Sequence, residues 1–176
     1  MDRALELAHE SLFVTSPNPR VGCVLVGPDG RVIGTGRTQQ AGGAHAEVMA
    51  LRDAQAGGYV TQGATAYVTL EPCSHHGRTG PCCDALVAAG IARVVASIAD
   101  PNPLVVGRGF ERLRAAGISV EVGCGAEESR ELNIGFFSRM IRKKPWVRLK
   151  AAISLDGFTA MPSGESQWIT SEAARS

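Results

Sequence analysis

After an opening hairpin, this sequence alternates helix and strand three times. A strand over Val21–Val26 meets the turn Gly27-Pro28-Asp29-Gly30, and a second strand over Arg31–Arg37 returns, which predicts an antiparallel pair. The pattern then reads helix 45–56, strand 65–70, helix 82–89, strand 92–98, helix 109–116, strand 118–122 and helix 126–140. Strands separated by helices pair in parallel and leave the helices on the sheet faces. Ala92–Ile98 is apolar throughout, as a strand buried on both faces requires. A short amphipathic helix over residues 2–13 precedes the hairpin, and Ser16-Pro17-Asn18-Pro19 ends it. The fold class expected is α/β: a three-layer α/β/α domain with a mixed, mostly parallel sheet.

Composition narrows the function classes. Lys and Arg number 18 against 17 Asp and Glu, a net charge of +1, and this argues against a nucleic-acid or membrane-surface binder. The N-terminal stretch MDRALELAHESLF lacks an apolar signal core. The five cysteines are an odd, unevenly spaced set in a chain that is 44% hydrophobic, so they read as reduced thiols of a cytoplasmic protein rather than a disulfide framework.

Three short pieces carry chemistry: His45-Ala46-Glu47, Glu71-Pro72-Cys73, and Cys82 nine positions on. Each falls where a strand or loop enters a helix. Imidazole and thiolate are the usual zinc donors, and three protein ligands leave a fourth tetrahedral position open, as catalytic zinc sites do. Glu47 is the expected proton carrier beside the metal. Two thiolates weaken the acidity of a zinc-bound water, which makes that carboxylate more necessary. Singly, a His-x-Glu is an ordinary helix start and a Cys a small buried hydrophobe. Together they match the His-x-Glu and Pro-Cys pattern of zinc deaminases, with a longer spacing between the cysteines. Cys83 is a poor ligand candidate because Cys82 holds the helix-start position, so replacing Cys83 is expected to cost neither metal nor stability. Cys23 and Cys124 read as packing residues.

The stretch from Thr69 to Leu86 (TLEPCSHHGRTGPCCDAL) resembles the signature of the bifunctional riboflavin-biosynthesis deaminase–reductase family. Pro17-Asn18-Pro19-Arg20-Val21-Gly22, His45-Ala46-Glu47-Val48, Asp100-Pro101-Asn102-Pro103, Ser154-Leu155-Asp156-Gly157 and Gly164–Thr170 match it in order. The resemblance implies a cytidine-deaminase-like domain at residues 1–144. It implies hydrolytic deamination of 2,5-diamino-6-(5-phosphoribosylamino)pyrimidin-4(3H)-one to 5-amino-6-(5-phosphoribosylamino)uracil, with one Zn2+ on His45, Cys73 and Cys82 and Glu47 as the catalytic residue. It places Asn18, His75, Arg78, Asp100 and Asn102 at the substrate. Three positions depart from the pattern: Thr38 stands where the family often has a His, Gly80 replaces a Pro, and Phe158 replaces an Arg.

At Arg142-Lys143-Lys144-Pro145 the composition turns basic, and residues 145–176 resemble the start of the family's reductase domain. A strand is expected over Trp146–Ile153 and a helix start capped by Thr170 or Ser171. The resemblance implies that Ala152 and Trp168 touch NADPH and that Ser166 touches the ribosyl substrate. One βαβ unit takes about thirty residues, so this segment is expected to be an incomplete domain that neither holds NADPH tightly nor reduces the substrate. The partners expected are a phosphorylated pyrimidine, no nucleic acid and no membrane, with room for a homo-oligomer. The alternatives are a deaminase of another free base or nucleotide, a tRNA adenosine among them, and a non-catalytic zinc-binding scaffold.

Overall fold

The computed structural model describes residues 1–75, 80–103, 105–166 and 171–174. It divides into two compact units, Met1–Pro145 and Trp146–Ser176.

The first unit is built on five strands: β1 (Gly22–Val26), β2 (Val32–Arg37), β3 (Thr65–Val68), β4 (Arg93–Ala96) and β5 (Ser119–Val122). Their order is β2-β1-β3-β4-β5. β1 runs antiparallel to both β2 and β3, while β3, β4 and β5 are parallel. The helices are α1 (Asp2–His9), α2 (Ala46–Ala56), α3 (Cys82–Ala88), α4 (Arg108–Ala115), α5 (Ala126–Leu132) and α6 (Ile134–Phe137), followed by a π-helical turn over Ser138–Arg142.

Strand side chains alternate between two faces. Cys23 and Leu25 of β1, Ala66 and Val68 of β3, and Val94 and Ala96 of β4 enter one core with Ala46, Ala50 and Ala54 of α2, Leu86 of α3 and Leu113 of α4. Val24 faces the other way and packs with Ala4 and Leu7 of α1, beside Val26 and Tyr67. This is the three-layer α/β/α arrangement of a cytidine-deaminase-like domain. As expected, β4 is buried on both faces: Val94, Val95 and Ala96 are all in the interior. α2 lies almost in contact with β2, and only glycine permits it. A Cβ on Gly36 would run into the Ala46 carbonyl, and one on Gly34 into the Ala50 carbonyl.

The strand directions decide where loops gather. The C-terminal ends of β2, β3 and β4 and the N-terminal end of β1 share one edge of the sheet, where α/β proteins bind ligands.

Some local expectations differ from the structure. The first helix stops at His9 rather than running to residue 13; Ser11 is buried and its hydroxyl donates to the Thr38 carbonyl at 3.1 Å. The helix expected over 126–140 breaks at Asn133. Cys124 is exposed, not packed, because it sits in the Gly123–Gly125 turn.

In the second unit no strand forms over Trp146–Ile153. A strand needs a neighbour for its backbone groups, and none of the described residues supplies one. A single 3-10 turn spans Glu172–Ala174. Thr170 lies outside the described residues.

Candidate metal centre

His45 is the N-cap of α2, with extended backbone (φ −73°, ψ 164°), and Glu47 lies in the first helical turn. Inside a helix, residues two apart face different ways. With His45 still outside the helix, both side chains reach one cavity at the sheet edge. Cys73 follows β3, and Cys82 is the first residue of α3. The Cys82 backbone N–H donates to Cys73 Sγ at 3.3 Å, and the Cys83 N–H donates to the Cys73 carbonyl at 3.1 Å. The start of α3 is thereby tied to the loop that carries Cys73.

His45 Nδ1 lies 3.5 Å from Cys73 Sγ and 3.3 Å from Cys82 Sγ. The three donor atoms all fall within 4.8 Å of one another. Zinc bonds of about 2.0 Å to nitrogen and 2.3 Å to sulfur put tetrahedral N and S ligands roughly 3.5 Å apart. The residues therefore fit one zinc ion. Cys83, one position on, turns away: it is buried in the core, and its Sγ reaches the Pro72 carbonyl at 3.1 Å.

Charge is concentrated here. Glu47 is 4% exposed, and burial, then the Cys73 sulfur, pushes its carboxyl up to about 7. A hydrogen bond to Cys82 holds the Cys73 thiol well below its usual range, while the same bond drives Cys82 up. His45 is raised, chiefly by its hydrogen bond to Cys73. Burial pushes Cys83 up to about 12, which suits a packing thiol. Asp100 is raised by burial as well.

The cavity has a volume of about 470 Å³, within the range of small-molecule sites. Its wall includes His45, Glu47 and Cys73, and also Asn18, His75, Asp100 and Asn102, so four of the five expected substrate residues share the cavity with the metal donors. Arg78, the fifth, lies outside the described residues. Thr38 lines the cavity as well. Its hydroxyl accepts from the Val21 N–H at 3.1 Å.

Among the lining residues that sequence reading leaves without a role of their own, two stand out. Arg139 reaches the cavity from the π-helical turn; its guanidinium donates to the Pro17 carbonyl at 2.9 Å and lies 5.8 Å from the centre of the Phe136 ring. No local motif marks it. Glu71 is buried and its carboxylate takes three backbone N–H groups. Its one visible signal was its place in the Glu71-Pro72-Cys73 piece.

Comparison with known proteins agrees with this geometry. Residues 1–98 match the cytidine and deoxycytidylate deaminase zinc-binding region, and residues 145–176 match the RibD C-terminal domain. Riboflavin biosynthesis protein RibD of Escherichia coli (strain K12) is 61% identical over 175 residues, covering 99% of this chain and 47% of that protein. The chain belongs to the cytidine and deoxycytidylate deaminase zinc-binding family. RibD of Acinetobacter baumannii shares 55% identity at a TM-score of 0.88, over 99% of this chain and 48% of that one. The diaminohydroxyphosphoribosylaminopyrimidine deaminase/5-amino-6-(5-phosphoribosylamino)uracil reductase of Thermotoga maritima shares 46% identity at a TM-score of 0.93, over 98% of this chain and 49% of that one. The chain thus spans about half the length of the RibD relatives it matches. Ala152 and Ser166, the RibD-like positions of the second unit, are exposed, and Trp168 lies outside the described residues.

Proposed function

We propose that this chain hydrolytically deaminates 2,5-diamino-6-(5-phosphoribosylamino)pyrimidin-4(3H)-one to 5-amino-6-(5-phosphoribosylamino)uracil, a step of riboflavin biosynthesis. The observation that carries the proposal is Glu47: a buried carboxylate lining the same cavity as a three-donor set that leaves one coordination position over. A zinc scaffold needs no such group.

In this reading His45, Cys73 and Cys82 hold the ion. Zinc supplies Lewis acidity that makes water nucleophilic at neutral pH. Glu47 takes a proton from the attacking water and delivers it to the departing amino group. A C–O bond forms, the C–N bond breaks, and ammonia leaves. Asn18, His75, Asp100 and Asn102 orient the pyrimidine from the cavity wall, and Arg78 meets the phosphoribosyl group. The net charge of +1 favours a free small molecule over a tRNA.

Residues 1–144 form the deaminase domain and residues 145–176 begin the reductase domain, where Ala152 and Trp168 would meet NADPH and Ser166 the ribosyl substrate. Among the described residues no helix is long and apolar enough to cross a membrane. The five free thiols suit the reducing cytoplasm.

The test is ammonia release by the zinc-loaded chain with this pyrimidine, guanine and a tRNA adenosine substrate as separate arms. Turnover of the phosphoribosyl pyrimidine alone is expected. Turnover of guanine or tRNA alone would overturn the substrate assignment, and no ammonia from any arm would leave the scaffold reading.

A further inference from the structure

Glu71 stands three residues after the end of β3 and two residues before Cys73. It is 4% exposed and has no cationic partner among the described residues. Its carboxylate is instead surrounded by main chain. Oε2 accepts from the Asp100 N–H at 3.1 Å and the Gly107 N–H at 3.0 Å, and Oε1 accepts from the Gly109 N–H at 2.9 Å. Two of those donors belong to the start of α4, where a negative charge is favoured. Hydrogen bonds from backbone N–H to an ionised acceptor are among the stronger ones.

The bonds join two walls of the cavity. On one side the Glu71–Cys73 segment carries a metal donor. On the other, Asp100 is held by its own N–H, and its Oδ1 accepts the Asn102 N–H at 2.8 Å. Asp100 and Asn102 both line the cavity. There is no slack between the walls: a Cβ on Gly109 would strike the Pro72 carbonyl and come within 3.1 Å of the Glu71 side chain. We infer that Glu71 is a positioning residue, which fixes the distance between the metal donors and the Asp100–Asn102 wall so that a ring held on that wall meets the metal. The inference rests on the proposed deaminase reading for its ligand.

Glu71→Gln tests it. The amide keeps one acceptor but turns a donor toward N–H donors, so at least one of the three bonds is lost. The variant is expected to keep one zinc per chain. KM for the pyrimidine should rise about tenfold or more while kcat changes by about threefold or less, the signature of lost ground-state positioning. Asn102→Ala should cost less in the Glu71→Gln background than alone, because the two act through one wall. Amide exchange should speed up at Asp100, Gly107 and Gly109 and stay unchanged across the β3–β4 ladder. Glu71→Asp, which keeps the charge at shorter reach, should fall between wild type and Glu71→Gln. An unchanged KM, additive costs with Asn102→Ala, or loss of zinc or fold in both variants would overturn the inference. If wild type releases no ammonia, the deaminase reading fails, and the amide exchange still decides whether Glu71 holds the wall.

Discussion

Cys82 and Cys83 are neighbours in sequence and have different jobs in space. Consecutive helix residues point about 100° apart. Cys82 therefore faces His45 at 3.3 Å, while Cys83 enters the core against the Pro72 carbonyl. Cys82→Ala should abolish zinc binding, measured by metal analysis after dialysis. Cys83→Ala should keep the metal, yet it deletes a fully buried side chain and should cost about 1–2 kcal/mol in a denaturant titration. The burial of Cys83 argues against the sequence-based expectation of no loss, which weighed Cys83 only as a ligand. Glu47 carries a different prediction. Glu47→Gln preserves shape and removes the proton acceptor, so zinc should stay while ammonia release falls by roughly 10²–10⁴, the size of a general acid–base contribution. Turnover within tenfold of wild type would remove Glu47 from the chemistry.

Elements were legible where a period-2 or period-3.6 pattern met a turn residue. β1, β2, β3 and β4 and helices α2, α3 and α4 lie within a few residues of their expected spans. The metal donors were legible for a related reason: His45 and Cys82 sit at helix starts, and Cys73 closes the Glu71-Pro72-Cys73 motif in the loop after β3. What stayed hidden depends on distant partners. Residues 126–140 keep a helical pattern, yet the helix breaks at Asn133, whose side chain is claimed by a segment over a hundred residues away. Asn133 Oδ1 accepts the Arg20 N–H at 2.7 Å, and Nδ2 donates to the Arg20 carbonyl at 2.9 Å. The pair of bonds copies a β-bridge and anchors the Pro17–Arg20 loop that brings Asn18 to the cavity. Periodicity over a local window cannot register such a contact, nor the reach of Arg139 to Pro17. Trp146–Ile153 shows the converse, a strand-like composition with no pairing partner among the described residues. Asn133→Ala leaves both Arg20 backbone groups without these partners in a half-buried site and should cost about 1–2 kcal/mol in chemical denaturation. It should also raise KM through Asn18 while zinc content holds.

Across the whole molecule, the proposed ion would join parts that the chain itself leaves far apart. His45 opens α2, Cys73 follows β3 and Cys82 opens α3, all within Met1–Pro145. A ligand that binds only the folded state adds stability in proportion to the logarithm of its concentration over Kd, about 2.7 kcal/mol at a hundredfold excess. A chelator should therefore lower the melting temperature of the first unit, and added zinc should restore it. Trp146–Ser176 contributes no donor to the cluster found among the described residues. There, Leu149 is 89% exposed, and Val147 and Phe158 are exposed too. Limited proteolysis should separate the two responses. Chymotrypsin is expected to cut first between residues 146 and 161, at a rate that ignores the chelator, because nothing that holds that segment involves the metal. Cleavage inside residues 1–145 should be slow with zinc and should accelerate several-fold without it. Equal acceleration at both sets of sites would mean that the ion supports both units, and no acceleration anywhere would mean that the His45–Cys73–Cys82 cluster adds nothing to the fold.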